Sequence, residues 1–360
     1  MAHTATFIII GGAGFRAQYF LRIAQALPDS FRINGLVIRD EVQAKAMERQ
    51  WNIPAFRTLE DALAVEKPDF AVISVSRGAA SGYLLDLADR GIAALVETPP
   101  APDLESMLEL YDQLSKREAR VQVAEQYQFH PLHMARQAAI KAGMLGTVTQ
   151  ATVSISQTYH AVSLMRKMLG IGFEDADIRG MRFESPVIAG PGRGGPPQEE
   201  KIIAEPRDMA WLEFGNKLAI YDFAKDQHRS WIRSNHLSVR GDRGEIFDRR
   251  LSVLADYKTP LHLEFKRINS GEEENQEGHY LQGYMAGERW VYSNPFVPAR
   301  LYDDEIAIAT CLLKMAEYAS GGPSFYSLAE ASQDHYLGLL IEQAIRTGEP
   351  VKSQRQPWAE

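Results

Sequence analysis

Along the first third of the chain, short apolar runs alternate with segments whose apolar residues recur at helical spacing. "TATFIII" is a continuous apolar run of strand length. After a glycine turn, "FRAQYFLRIAQALP" sets Phe15, Tyr19, Leu21, Ile23 and Leu27 mostly on one side of a helix. The pair recurs in "INGLVIRD" then "EVQAKAMERQW", in "DFAVISVS" then "AASGYLLDLADRG", and in "AALVET" then "LESMLELYDQLSKR", before a short closing strand, "RVQVAE". Apolar strands separated by helices predict a parallel sheet covered on both faces, with right-handed crossovers. Ligands of such sheets bind beyond the carboxyl ends of the strands, so the residues that follow each strand are the first candidates for chemistry.

From about Gln126 the pattern changes. A helix, "PLHMARQAAIKAGMLG", leads into "TVTQATVSISQ". After a loop come "DMAWLEFG", "KLAIYDFA", "SWIRSNHLSVRG", "GEIFD", "LSVLAD" and "PLHLEF", which alternate apolar and polar residues and are joined by short turns. That alternation predicts an antiparallel sheet with one face in water or against a second subunit. Two helical stretches, "DDEIAIATCLLKMAEYAS" and "LAEASQDHYLGLLIEQAIRTG", close the chain. The irregular "IAGPGRGGPPQEEK" is a loop of the lid or connector type with Arg193 exposed in it, and "GEEENQEG" reads as a solvated acidic turn.

The first strand-to-helix turn carries Gly12-Ala13-Gly14-Phe15-Arg16-Ala17, a G-x-G-x-x-A arrangement. In that pattern the first glycine permits a tight turn, the second lets a pyrophosphate reach the backbone, and the third small residue lets helix and strand pack closely. The following helix N-terminus offers amides and the positive end of its dipole to phosphates. Gly12, Ala13, Gly14, Phe15 and Arg16 are therefore candidate dinucleotide contacts. At the end of the second strand an acid accepts the hydroxyls of an adenosine ribose, whereas an arginine suits a 2′-phosphate. Arg39 and Asp40 stand there together, so NAD or NADP remains open, with NAD the favoured expectation. Ser74 and Ser76 end the third strand segment, and Glu97, Thr98 and Gln126 follow the fourth and fifth, completing the candidate cofactor set.

At 360 residues the chain is long enough for two domains. The expected architecture is an α/β Rossmann dinucleotide-binding domain over 1–125 and an α+β domain over 126–360, with a large, mostly antiparallel open sheet for substrate binding and oligomerisation. An apolar fraction of 45% and a charged fraction of 24% are those of an ordinary soluble protein. A net charge of −8 argues against a nucleic-acid surface. The first apolar run stops at glycine after a few residues and has no basic segment before it, so no leader or membrane span is expected and the protein reads as cytoplasmic. The single cysteine, Cys311, lies in an apolar helical pattern and reads as a buried small hydrophobe, which leaves neither an internal disulfide nor a cysteine metal cluster. His228, His236, His262 and His279 show no metal-ligand spacing, and no metal site is expected.

Taken in order, the glycine fingerprint, the strand ending "VETPP", the helix "YHAVSLMRKMLG", the sheet segments "RDMAWLEFGNKLAIYDF" and "RGDRGEI", and the ending "LIEQAIRTGEPV" resemble the glucose-fructose oxidoreductase, inositol dehydrogenase and MocA superfamily over essentially the whole chain. The resemblance implies a nicotinamide coenzyme in the first domain, a carbohydrate-like small molecule as substrate and hydride transfer at one carbon, while the exposed face of the alternating sheet leads to the expectation of a homo-oligomer, dimer or tetramer.

The superfamily's usual catalytic set is a lysine in a Glu-Lys-Pro motif with an aspartate and a histidine four apart. Here the motif is Glu97-Thr98-Pro99, and a threonine can hydrogen-bond but cannot supply an ammonium charge. The histidine matches His160, and Ser156 stands where the aspartate would be. His160 is the candidate proton-transfer group, with neighbouring Tyr159, and Tyr127 in "AEQYQFHP", as further candidate acids or bases. Three functions are compatible with this set: an NAD(P)-dependent oxidoreductase acting on a hydroxyl of a sugar, polyol or glycoside; a redox glycosidase, in which transient oxidation precedes loss of the aglycone; and a non-catalytic dinucleotide-binding sensor or regulator.

Overall fold

Three consecutive isoleucines at the end of the first strand are almost fully withdrawn from water, and burial of each such side chain contributes about 1.5–3 kcal/mol. They lie in the core of a computed structural model that describes residues 4–272 and 278–359. The acidic stretch "GEEENQEG" therefore lies mostly outside the described residues. The chain forms two compact units, one of Met1–Pro131, Ile268–Gly283 and Ser293–Ser332, the other of Leu132–Arg267, Tyr284–Tyr292 and Gln333–Glu360. The chain thus re-enters the first unit after 125, whereas reading by chain order assigned everything from 126 onward to the second.

In the first unit the order is β1 (Ala5–Ile10), α1 (Ala17–Ala26), β2 (Phe31–Val37), α2 (Glu41–Trp51), β3 (Ala55–Phe56), α3 (Leu59–Val65), β4 (Phe70–Ile73), α4 (Arg77–Asp89), β5 (Ala93–Val96), α5 (Leu104–Lys116) and β6 (Val121–Val123). The strands form one parallel sheet in the order β3-β2-β1-β4-β5-β6. Phe7 stacks on Phe70 at 5.2 Å between ring centroids and meets the edge of Phe31 at 6.5 Å. Two short elements, β3 and α3, were too brief to show in the hydrophobic pattern. Phe15, expected on the apolar stripe of the first helix, instead lies in the turn before α1 and is 62% exposed.

In the chain that follows come α6 (Pro131–Lys141), β7 (Val148–Ser154), α7 (Thr158–Leu169), β8 (Asp177–Ile188), β9 (Ile202–Phe214), β10 (Lys217–Ala224), β11 (His236–Gly241), β12 (Gly244–Phe247), β13 (Arg250–Asp256), β14 (Thr259–Ser270), β15 (Tyr280–Ala286), β16 (Arg289–Ser293), α8 (Asp303–Ala319), α9 (Leu328–Thr347) and β17 (Val351–Lys352). Eleven strands make one sheet in the order β16-β15-β14-β13-β12-β11-β7-β10-β9-β8-β17, antiparallel in its named pairings except for β7 with β10. Here the sequence reading missed β8, β15 and β16, and it started β9 six residues late. β8 carries Arg179, Arg182 and Glu184 among its apolar residues, and its pairing with β9 makes good the weak local signal. The glycine- and proline-rich "IAGPGRGGPPQEEK" connects these two strands, closed near its tip by reciprocal Gly192 and Gly195 hydrogen bonds of 2.9 and 3.2 Å, with Arg193 exposed between them.

Behind this sheet α7 and α9 are joined by a buried ion pair. Arg166 Nη1 donates to Asp334 Oδ1 at 2.5 Å, with side chains 5% and 1% exposed, and Arg166 Nε donates to Gly172 O at 2.9 Å. Gly180 of β8 lets α9 come close, because a side chain there would meet Ile345 Cγ1 at 2.7 Å.

Candidate active site

The site in the first unit begins at the β1–α1 turn. Gly11 has φ +89, and a Cβ there would fall 2.2 Å from Ser74 O, so this residue, not Gly12, makes the tight turn against β4. Gly12 packs on Leu36, where a Cβ would stand 3.0 Å from the leucine Cβ, and the Gly14 amide closes the turn on Gly11 O at 3.0 Å. The expected fingerprint is therefore present, but the conformational requirement falls one residue before it. Ser74 N holds Ile10 O at 2.8 Å, while Ser76 caps α4 through its carbonyl, which accepts from Ala79 N at 2.9 Å.

Above this turn Gly11, Ala13, Gly14, Arg39, Asp40 and Tyr83 line a cleft of about 330 Å³. The two candidate ribose-readers behave differently. Asp40 is the N-cap of α2, its Oδ1 accepting from Gln43 N at 2.7 Å, which satisfies an otherwise unpaired amide. Buried Ile38 occupies the last inward position after β2, and Arg39 is exposed with no hydrogen bond or ion pair among the described residues.

At the end of β5, Glu97 turns toward the glycine turn. Arg16 Nε donates to Glu97 Oε2 at 3.1 Å, and Arg16 Nη2 reaches Gln126 Oε1 at 3.5 Å. Burial by itself lowers the affinity of the Arg16 guanidinium for its proton. The charge and hydrogen bond of Glu97 more than offset that, so its pKa is raised. Glu97 Oε1 is buried and has no hydrogen-bond partner among the described residues. Thr98 follows, joined to Pro99 by a cis peptide. Three expected cofactor residues from distant parts of the chain, Arg16, Glu97 and Gln126, are thus brought together.

Tyr127 stacks on His130 with centroids 5.2 Å apart and planes 21° apart, and His130 Nε2 lies 3.1 Å from Asp304 Oδ1 on α8. His130 stands in the strand-end segment "AEQYQFHP" that the sequence singles out, whereas Asp304 was not singled out, since a partner so far along the chain leaves no local signal. Fully buried Cys311, on the same helix, has its thiol pKa pushed well up by burial and by the charges of Glu125 and Glu97, which leaves it a weak nucleophile.

In the second unit His160 lies in the first turn of α7 and is partly exposed. Its ring meets Tyr159 edge-on at 5.2 Å, and Tyr159, 7% exposed, meets His335 of α9 edge-on at 6.0 Å. Ser163 Oγ donates to His160 O at 2.9 Å, tying the helical turn that carries the imidazole. Ser156 is buried at 1% exposure. The other histidines make local contacts: His228 with Phe223, His236 with Asp248, and His262 with Ser252. Among the described residues no cluster of three or more histidine, cysteine or acidic side chains could hold a metal ion, and no helix is long and apolar enough to cross a membrane.

The glycine turn, the open cleft above it and the unpartnered Glu97 oxygen fit a nicotinamide dinucleotide, and comparison with known proteins agrees. Residues 6–125 match the model of the oxidoreductase family with an NAD-binding Rossmann fold. D-xylose 1-dehydrogenase (NADP(+)) 2 of Haloferax volcanii is 28% identical over 151 residues, a match that covers 42% of this chain and just under half, 46%, of that relative. Among solved structures, an oxidoreductase of Agrobacterium radiobacter in complex with NAD+, L-tartaric acid and magnesium superposes with a TM-score of 0.68 at 14% identity, over 97% of this chain and 98% of that one. A myo-inositol dehydrogenase of Corynebacterium glutamicum gives 0.68 at 14% identity over 98% and 100%. The WlbA dehydrogenase of Bordetella pertussis, in complex with NADH and UDP-GlcNAcA, gives 0.63 at 14% over 99% of both chains. Residues 6–125 thus carry the NAD-binding Rossmann domain of that oxidoreductase family, and the chain along its length shares the fold of these solved structures.

Proposed function

We propose that the protein is an NAD(P)-dependent dehydrogenase that moves a hydride to or from one carbinol carbon of a sugar, polyol or glycoside. The observation that carries this reading is the cluster of Arg16, Glu97 and Gln126 beside the glycine turn, in which Glu97 Oε1 has no hydrogen-bond partner among the described residues. When bound, the coenzyme supplies the hydride acceptor or donor. Arg16, held by Glu97, and the Gly12 and Ala13 amides of the glycine turn would hold its phosphates, while Glu97 Oε1 and Gln126 would hold the carboxamide end. His160 takes the hydroxyl proton, an imidazole being the side chain best suited to proton transfer near neutral pH. Tyr127 and Tyr159 remain candidate assisting groups. Thr98 cannot provide the charge of a lysine, so polarisation of the hydroxyl falls to hydrogen bonds alone.

The coenzyme proposed is NADP. The expectation of NAD rests on Asp40, whose Oδ1 is taken by the cap of α2. Arg39 is left beside the cleft as a cation suited to a 2′-phosphate. We also propose a homo-oligomer formed through the open face of the large sheet. Met181, Phe183 and Trp211 share that face by register and are 44%, 56% and 38% exposed, an unusual apolar density for a solvated surface.

A panel of aldoses, polyols and glycosides assayed with NADP+ and NAD+ tests the function. Stoichiometric formation of reduced coenzyme supports a dehydrogenase. Release of nitrophenol from nitrophenyl glycosides without net reduction would establish the redox glycosidase instead. Coenzyme binding with neither activity would identify a sensor.

A further inference from the structure

In the second unit the large sheet outruns the helix that packs on it. On the α9 side, residues of three neighbouring strands stand in rows: Gly180 beside Ala210 and Tyr221, then Arg182 beside Asp208 and Phe223. α9 reaches the first row, where Gly180 leaves room for Ile345, and ends two residues later at Thr347. A pocket of about 740 Å³, within the range of small-molecule sites, opens between the second row, the last turns of α9 and the first turn of α7. Its lining belongs wholly to the second unit.

Part of the charge in this pocket is already paired. Arg182 Nε donates to Asp208 Oδ1 at 2.6 Å and its Nη2 to Oδ2 at 2.9 Å. Thr158 Oγ1 donates to Glu342 Oε1 at 3.2 Å, which leaves Glu342 Oε2 to accept. Arg346 and Lys225 line the pocket with no hydrogen bond or ion pair among the described residues, so the charge left over is positive. Tyr221 is 3% exposed, and its hydroxyl makes no hydrogen bond with a described residue, yet it is not among the polar atoms closed to water. Burial and the nearby charges of Asp208 and Glu342 raise its pKa, so it stays protonated and able to donate. A buried donor that feels two carboxylates and bonds to neither is a group in want of an acceptor.

We propose that this pocket binds a sugar acid, a small polyhydroxylated monocarboxylate. Its carboxylate pairs with Arg346, and Lys225 adds to the positive field. One hydroxyl accepts from Tyr221 Oη, another donates to Glu342 Oε2, and the C–H face of the ring lies against Phe223 and Ile345. A neutral sugar would forgo the charge-assisted contact. A sugar phosphate would bring a second negative charge toward Asp208 and Glu342, a repulsion that selects against it. Binding here needs no coenzyme and is independent of the dehydrogenase reading.

The test is isothermal titration calorimetry of the full chain, without coenzyme, against D-galacturonate, D-galactose and the galactose phosphate esterified at the terminal carbon, three ligands that differ only at that carbon. The expected result is saturable binding of galacturonate with a dissociation constant on the order of 1 mM or below, and binding about tenfold weaker or more for the other two. Arg346→Gln should weaken galacturonate binding about tenfold, through loss of a charge-assisted contact, and Tyr221→Phe about fivefold, through loss of a neutral one. Arg346 is exposed, so its variant keeps the test decisive even where Tyr221→Phe does not fold. No saturable binding of galacturonate, equal affinity for either of the other two sugars, or an unchanged constant in a folded variant would overturn the proposal.

Discussion

Arg16 and Glu97 stand 81 residues apart in the chain, and Arg16 Nε donates to Glu97 Oε2 at 3.1 Å. The acid of "VETPP" thereby anchors the arginine that follows the glycine turn, across the carboxyl edge of the parallel sheet. Under the proposed function, such a pair would hold a cation beside the coenzyme phosphates. Glu97→Gln keeps the shape and weakens the bond from charge-assisted to neutral, a change of about 1 kcal/mol in this partly exposed pair. The expected outcome is a roughly fivefold rise in the coenzyme dissociation constant. Isothermal titration calorimetry checks it, and unchanged affinity would show that the pair is only structural.

The proposed preference for NADP rests on Arg39. Arg39→Ala should weaken NADP+ binding by about tenfold or more, since an arginine–phosphate contact is lost, while leaving NAD+ nearly unaffected. The ratio of the two dissociation constants is the measurement. Equal losses for both coenzymes would mean that Arg39 does not read the 2′-position.

His160→Ala should lower kcat by about 10²–10⁴ while the coenzyme dissociation constant stays within about twofold, the pattern of a lost proton-transfer group. His160→Gln, which hydrogen-bonds but does not titrate, should be nearly as slow. Stopped-flow turnover with the best substrate of the panel reads the effect, and a variant retaining full kcat removes His160 from the chemistry.

Removing one partner of the Arg166–Asp334 pair leaves a buried charge uncompensated. Asp334→Ala should cost about 3–5 kcal/mol of stability. Urea denaturation followed by tryptophan fluorescence measures it. Arg166→Met combined with Asp334→Leu should recover most of the loss, because two apolar side chains need neither solvation nor a partner.

The oligomer proposal predicts that Phe183→Glu together with Trp211→Glu yields a smaller species in sedimentation velocity, with helix content unchanged. A wild-type chain that is already monomeric at micromolar concentration would rule the interface out.

Much of this protein was decided locally. The period of the apolar residues and the glycines at the first turn determined the α/β unit, because a buried parallel strand needs an unbroken apolar run and a tight turn needs glycine. The short turns between alternating segments likewise determined the antiparallel sheet. Candidate positions after the strands could be read for the same reason, since strand ends in such sheets converge on one edge. Tertiary structure decided what local pattern could not encode. It placed the strain on Gly11 instead of Gly12, gave Asp40 to a helix cap, and paired Glu97 with Arg16 and His130 with Asp304. Each of these depends on which distant atoms lie within about 3 Å for a hydrogen bond, and that is set by packing of the whole unit.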